Sequence, residues 1–492
     1  PVGMTGEGVY AVGADGSDTT WIVSFTSDGS LEKQGDGTLS ILNAATFRQG
    51  AGVEGGLLAV DGVLTTPELH VGRNGTLGGT GRVAADVDVE GKLVPGQSPG
   101  TMTIAGNVSL APTATMEIDV DGTGTENGAG NYDRLLVTGA GNDFAANGTL
   151  QPRLRGISGA ATNAFTPMPG ELFTFVQVAD GSVTGSFSGL DQPDAGLAPG
   201  TRFDVLYAAD ALSLAATPER YADLSVFGTS ATQNEKALGG AIDRSRPAAG
   251  MRPNPAYNES FNALYAADIE ALAGGLSSLT GQIHAEMGTS AVRAIGRFAD
   301  RIEERQMGLA TGWLSETGTP YGAGEVWVSG NHAHTDVGSS GAISGYDVNA
   351  NNGAFGIDWH FGQTIAGVAG SYEYADISAN ANGDGNIGTY QAAAYATFET
   401  AGPTVAVHGG LSYGDLSTSR LTTLGNYAAM ANASGHGMGG FAEVSAFQDF
   451  EMEVLTLTPS ATLGYRGFHR DAMAETGSLF ALSLPDETFS ET

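Results

Sequence analysis

The sequence has no cysteine, three lysines (Lys33, Lys92 and Lys236) and no apolar run of about 18 residues. Without cysteine there is no disulfide scaffold, which suits a chain that must cross a membrane unfolded and also suits a cytosolic chain. Against 54 Asp and Glu stand only 21 Lys and Arg, a formal net charge of -33. Such a chain repels phosphate backbones, so nucleic acid is set aside as a partner. The missing apolar run excludes a transmembrane helix but not a membrane barrel, whose strands alternate. The opening residues Pro1-Val2-Gly3-Met4 carry neither a charged n-region nor an apolar h-region. Glycine, by contrast, is abundant, 75 of 492 residues without a G-X-Y period. That suits tight turns and close backbone approach.

From about Ser30 to Leu110 the text repeats. "GTLSIL", "GGLLAVDG", "LHVGRNGTLGG", "VDVEGKLVPG" and "GTMTIAG" are short apolar groups separated by glycine and asparagine turns. Val71…Gly75-Thr76-Leu77 parallels Val89-Glu90-Gly91-Lys92-Leu93 at a spacing of roughly 16 to 18 residues. One such unit cannot bury its apolar face alone, whereas stacked units share one core, so a parallel β-helix is expected. From about Ala111 to Leu214 the strands are less regular and should close the end of that stack.

The period then changes. Glycine falls between Thr217 and Met307, and Leu276, Leu279, Ile283, Met287, Ala291, Ala294, Phe298 and Ile302 lie on one helical face. Arg297, Arg301, Glu304 and Arg305 decorate its end, a polar face too mixed in charge for a membrane-surface helix. Past Glu325 the period is two. Phe355, Ile357, Trp359 and Phe361 begin a series of runs of about ten residues, enough to cross a bilayer as tilted strands. Aromatics mark the ends of the runs, and tight links ("FGQT", "TAGP") alternate with long polar ones ("SANANGDGN", "LGNYAAMANAS"). The intervening Gly, Ser, Thr, Gln and Asp suit a wet lumen better than a sandwich core.

Candidate chemistry fails at each motif. Gly96-Gln97-Ser98-Pro99-Gly100 fits G-x-S-x-G, but "TMTIAG" follows Ser98 as a strand where a nucleophile elbow needs a helix, so this is a structural turn. Gly288-Thr289-Ser290 has the order of a subtilisin-type serine motif but sits inside the amphipathic helix with no Asp or His context. His284 there reads as a packing or capping residue. His332 and His334 share one strand face without a third ligand and read as solvated. Asp119, Asp121 and Gly124 resemble a calcium loop, but position 12 is Gly130. No catalytic, cofactor-binding or metal-ligating residue is nominated.

Asp36 to Gly106, with "GDGTLSILNAATF", "GTLGGTG" and "LVPGQSPGTMTIAG", resembles the passenger-associated repeat of autotransporters, the type V secretion proteins of Gram-negative bacteria. "SLTGQIHAEM" is similar to the helical junction of that family, and "EVWVSGNHAHTDV…GAFGIDWHFGQTIAGVAGSYEYADI" to the start of its β-domain. The resemblance implies an all-β chain: a right-handed parallel β-helix passenger segment, an α-helical junction and an antiparallel transmembrane β-barrel. The expected division is 1–110 repeats, 111–216 β-helix end with autochaperone-like character, 217–321 junction, and 322–492 the N-terminal part of the barrel. About eight strand-like runs follow Glu325, against twelve in the family, and an open edge is not tolerated in lipid. The barrel is therefore expected to be incomplete in this chain, which reads as an internal fragment of a longer protein. The implied function is insertion in the outer membrane and export of the chain's own passenger to the cell surface. Two alternatives are a surface serine protease or esterase whose catalytic domain lies before Pro1, and an adhesin. Implied partners are outer-membrane lipid, the barrel assembly machinery and periplasmic chaperones. No cofactor is implied, and the passenger's ligand is undetermined.

Overall fold

Leu39, Leu58, Leu77, Leu93, Met116, Leu150 and Leu190 form one buried column, each pairing in register with the next. A second column runs Leu31, Ala51, Leu69, Val87, Val108, Phe144 and Val183. A third runs Ala45, Leu64, Val83, Ile104, Val137 and Val178. Three columns with parallel pairing from Val2–Met4 to Gly189–Leu190 define a parallel β-solenoid. Burying each large aliphatic side chain contributes about 1.5–3 kcal/mol, and no rung could bury its face alone. The parallel noticed between Val71…Leu77 and Val89…Leu93 is literal register, since Val71 pairs with Val89 and Leu77 with Leu93.

The computed structural model describes residues 2–4, 7–312, 319–321, 324–340, 344–379, 383–452 and 455–492. They form two compact units, Pro1–Ala231 with Gly239–Ala273, and Thr232–Leu238 with Gly274–Thr492.

In the first unit the rungs lengthen toward the end. Val87 pairs with Val108, but Val108 pairs with Phe144 and Phe144 with Val183. The added residues are tied down by side chains. Asp121 accepts from the backbone N–H of Gly130, Thr162 and Asn163 and from the Thr162 hydroxyl. At one corner Asp86 accepts from the N–H of Asn107, Asn107 from that of Asp143, and Asp143 from that of Ser182, an Asx ladder linking successive rungs. The stack ends in an antiparallel hairpin, Thr201–Tyr207 with Ala211–Pro218, which pairs on to Leu172–Val178. Helix α1 (Gln233–Ser245) and α2 (Asn258–Tyr265) follow.

The helical segment is not one continuous face. Helix α3 (Ile269–Leu279) stops at Thr280-Gly281, and α4 (Gln282–Ala310) starts anew. Gly312, at φ 73°, supplies the left-handed residue past the end of α4. The second unit is an antiparallel sheet: β1 (Gly324–Val337), β2 (Tyr346–Phe361), β3 (Thr364–Ala379), β4 (Gly383–Phe398), β5 (Thr404–Leu424), β6 (Tyr427–Phe447), β7 (Ser460–Arg470) and β8 (Glu487–Glu491). Neighbours pair in that order, with Thr319–Tyr321 beside β1.

The strands are longer than the ten residues expected, 16 in β2 to β4 and 21 in β5 and β6. "LGNYAAMANAS" is no loop. It is the end of β5 and start of β6, joined at Gly425-Asn426 with Gly425 at φ 57°, where a II′-type hairpin needs glycine. "SANANGDGN" is likewise strand at both ends, its residues 380–382 lying outside the described residues. The run read from Leu455 to Tyr465 is broken: Leu455–Leu457 pairs with Phe450–Met452, and β7 begins after Pro459.

Candidate functional site

Each strand of the second unit presents one face inward, to α4, and one outward. The apolar run Phe355, Ile357, Trp359 and Phe361 faces outward, while Asp358 between two of them is fully buried. In β3, Glu373 is fully buried between the exposed Tyr372 and Tyr374. A soluble sheet would reverse these assignments, since buried charge is tolerated only when paired.

The pairing comes from α4. Arg297, Arg301 and Arg305 recur every four residues and so form one stripe. Arg297 forms a two-bond fork with the Glu373 carboxylate. Arg301 donates to Ser329 at 2.7 Å. Arg305 meets Asp358 at 2.6 Å and Glu325 at 3.0 Å. On the other side of the helix, Asp300 pairs with Arg466 of β7, which also binds Glu443 of β6. Glu443 accepts from His408 at 3.2 Å when that imidazole nitrogen carries the proton. Glu303 accepts from Ser445 and Thr462. Bases toward β1 to β3 and acids toward β6 and β7 fix the rotation of the helix. Gln306 adds a donor to Thr397 at 3.1 Å.

Close approach depends on glycine. A Cβ on Gly367 would lie 2.3 Å from the Tyr395 ring, and one on Gly288 would lie 2.2 Å from Phe489.

The inward face changes character along the strands. Around the C-terminal half of α4 it carries Asp358, Thr397, His408, Glu443 and Ser445. Around the N-terminal half it is apolar, with Ala350, Ile377, Ile387 and Leu416 packed near Ile283, Met287 and Ile295. The outward face changes in the opposite sense. Ile357, Val368, Ala394, Gly409 and Ala442 form one cross-strand row, and two steps along, Gly353, Tyr372, Tyr390, Tyr413 and Met438 form another. Beyond that tyrosine row the outward residues are polar: His334, Asn349, Asp376, Asn386, Ser417 and Ser434 pair in sequence. From Phe361 to Gly353, eight residues at about 3.3 Å each span about 26 Å along the strand, close to a bilayer's apolar band.

Past the tyrosine row, the connection 471–486 folds back over the N-terminal end of α4. Glu475 is buried and bound by Arg420 through two bonds of 2.6 and 3.0 Å and by His284 at 2.9 Å. Burial opposes the charge on Glu475, but His284 and Arg420 outweigh it and hold the carboxyl down to about 2. His284, read from sequence as packing or capping, is therefore a partner of a buried carboxylate.

The other motif residues are placed as follows. Ser98, at φ 52°, lies between strands Lys92–Pro95 and Thr101–Ile104, with no helix after it. Ser290 is buried inside α4. His332 and His334 bind Asn351 and Asn349 on the outward face. Asp121 spends both oxygens on its own chain. The inward carboxylates were visible in the sequence as odd members between apolar neighbours; the Arg420–Glu475 pair, 55 residues apart, had no local signal.

Residues 326–492 match the autotransporter beta-domain family. The extracellular serine protease of Serratia marcescens is 22% identical over 514 residues, covering 96% of this chain and 47% of that protein. The chain thus spans about half the length of the curated relative it matches. The translocator domain of autotransporter NalP from Neisseria meningitidis is a structural neighbour at 17% identity and TM-score 0.32, covering 41% of this chain and 67% of that one. A β-solenoid, a helical segment and an antiparallel β-domain with an apolar outer band follow one another along the sequence, and the last of these, over residues 326–492, is an autotransporter beta-domain.

Proposed function

We propose that the second unit inserts in the outer membrane and exports the chain's own solenoid, which it then displays at the cell surface. The observation that carries this reading is the reversed polarity of β1 to β7. Apolar residues face out as a band edged by tyrosines, and paired charges face in around α4. Such a band gains free energy only in hydrocarbon. The N-terminal end of α4, where His284 meets Glu475, lies beyond the tyrosine row, and the solenoid precedes it in sequence, so that end faces outward and the Arg305 end faces the periplasm. Stacking supplies a direction: each rung of the solenoid buries its columns on the rung already folded, which favours net outward movement without a nucleotide. The division at 110, 216 and 321, with an autochaperone-like role for the closing hairpin, belongs to this proposal. So does assembly by periplasmic chaperones and the barrel assembly machinery.

The test is protease treatment of intact cells making the full-length protein. Solenoid fragments should be lost from outside while the β-domain survives until the envelope is broken. Recovery of both parts in the periplasm or cytosol would sink the reading.

A further inference from the structure

A groove of about 710 Å³ crosses the outward face of β2 to β6 beyond the tyrosine row. It follows the polar row that begins at Asn349 and Asp376, and a second row two residues further on that includes Asp384 and Asn432. Its lining is short amides, hydroxyls and two carboxylates, with no cation and no aromatic ring. Much of its hydrogen-bonding capacity is unspent. Ser378 donates to one Asp384 oxygen at 2.8 Å, and Ser417 to the Asn386 carbonyl at 3.1 Å. The second Asp384 oxygen, the Asn386 amide nitrogen and the Ser419 and Ser434 hydroxyls have no partner among the described residues.

This chemistry narrows the occupant. Carboxylates without a cation turn away phosphate. Unspent polar groups turn away an acyl chain. An extended peptide would need a free strand edge, but β3 to β5 are each paired on both sides here. What remains is a neutral polyol. Sugar hydroxyls donate and accept at once, which matches carboxylates that only accept and amides and hydroxyls that do both. Cross-strand neighbours recur about every 4.8 Å, so the contacts repeat along the groove and suit a chain of rings.

Position narrows the source. Asp376 lies four residues past Tyr372, about 13 Å along the strand. A strand tilt of about 45° leaves about 9 Å of height. That clears the interfacial layer of about 5–7 Å in which the phosphates sit. Tilt also makes the groove climb. The outward tyrosine of β7, Tyr465, pairs with Ala442, four residues nearer the periplasmic turn than Met438 of the tyrosine row. A level line therefore drops from β3 to β7, and the groove, which keeps to its rows, rises from β2 to β6. A saccharide rooted in lipid beside β2 would run outward along it.

We infer that the groove holds the neutral saccharide chain of an outer-leaflet glycolipid, beyond that lipid's phosphates. The inference rests on the outer-membrane reading.

The experiment uses the full chain in zwitterionic detergent with a chelator, so that divalent cations cannot bridge carboxylate to phosphate. Three probes are titrated: an outer-membrane glycolipid with neutral hexoses beyond its phosphorylated sugars, the same lipid cut back to the phosphorylated sugars, and the free hexose chain. The complete lipid should bind about tenfold more tightly than either of the others, since its acyl chains hold the saccharide at the groove. Asp384→Ala with Asn386→Ala and Asn432→Ala should lower the complete lipid to the affinity of the cut-back one, with heat-modifiable gel mobility unchanged. Ser419→Trp, which fills the groove, should do the same. Asn351→Ala with Asp415→Ala, one row nearer the membrane and outside the groove, should change nothing. Equal binding of the two lipids, or groove variants that bind as the wild type does, would overturn the inference. A free hexose chain binding as tightly as the complete lipid would overturn the lipid as its source. Protein that stays dissolved without detergent would overturn the outer-membrane reading itself.

Discussion

Arg246 is almost wholly buried beside α1, and its guanidinium reaches the Asp204 carboxylate and the Thr217 hydroxyl. The rings of Tyr221 and Tyr265 lie 5.0 and 5.5 Å from it, and it also donates to the Pro218 carbonyl at 2.8 Å. One side chain thus ties the segment after α1 to the hairpin that ends the solenoid. Arg246→Met leaves the buried Asp204 with Arg202 and the Thr217 hydroxyl, and breaking such a pair costs about 3–5 kcal/mol. Limited proteolysis should then cut first near 201–218, before the rungs around Leu77. A second residue-scale device lies under the Ser98 turn. Asp133 accepts from the N–H of Gly100 and Asp119, and both carboxyls are buried side by side. Burial first, and the Asp119 charge second, push Asp133 well above the usual range; burial likewise raises Asp119. A raised carboxyl binds more protons folded than unfolded, so the pair's contribution to stability is present at acid pH. It is lost as pH rises from the unfolded value, about 3.9, through the folded ones. The urea midpoint of the solenoid transition should fall between pH 5 and 7.5, and Asp119→Asn should flatten that fall. Neither device was legible. Ser98 reads as a turn because a strand follows it. The partners of Arg246 and Asp133 lie far away in sequence, so no local pattern pointed to them.

At the scale of the strand, the period of two was legible, and so was the outward apolar stripe, because alternation alone sorts residues onto two faces. Strand length was not. Where β5 and β6 leave the apolar band their outward residues become Asp415, Ser417, Ser419 and Asn432, which looks like loop composition. The pairing continues because the inward partners Leu416 and Ala431 still bury. Position along the strand therefore decides the cost of a charge. Leu411→Arg, in the band, should cost about 2–4 kcal/mol and lower the fraction that folds in vesicles; Ser417→Arg, six residues further, should cost about 0–1 kcal/mol. The connection 471–486 obeys different energetics. Its carboxylate, Glu475, sits at about 2, below its unfolded value, so its stabilisation is present above that value. It is lost only as pH falls toward 2. Glu475→Gln should expose 471–486 to protease at pH 7, as acid does to the wild type only near pH 2.

For the molecule as a whole, two cores matter. The solenoid buries Phe25 through Ala216 in one cluster, and α4 with β1 to β7 buries another that shares no residue with it. Solenoid stability passes from rung to rung, so a defect spreads along the stack and stops where the stack does. The β-domain is held differently, by charged pairs that its apolar band shields from water. These differences predict two separable thermal transitions in the full chain. Leu77→Asp places an unpaired carboxylate in the column between Leu58 and Leu93 and should lower only the first, read as loss of solenoid protease resistance. Arg297→Glu faces Glu373 with a like charge and should lower only the second, read by heat-modifiable gel mobility. Adding Glu373→Arg to Arg297→Glu should recover part of the second transition and leave the first untouched. One transition shared by both readouts, or a swap that rescues nothing, would mean that the charged lumen does not hold the helix in place.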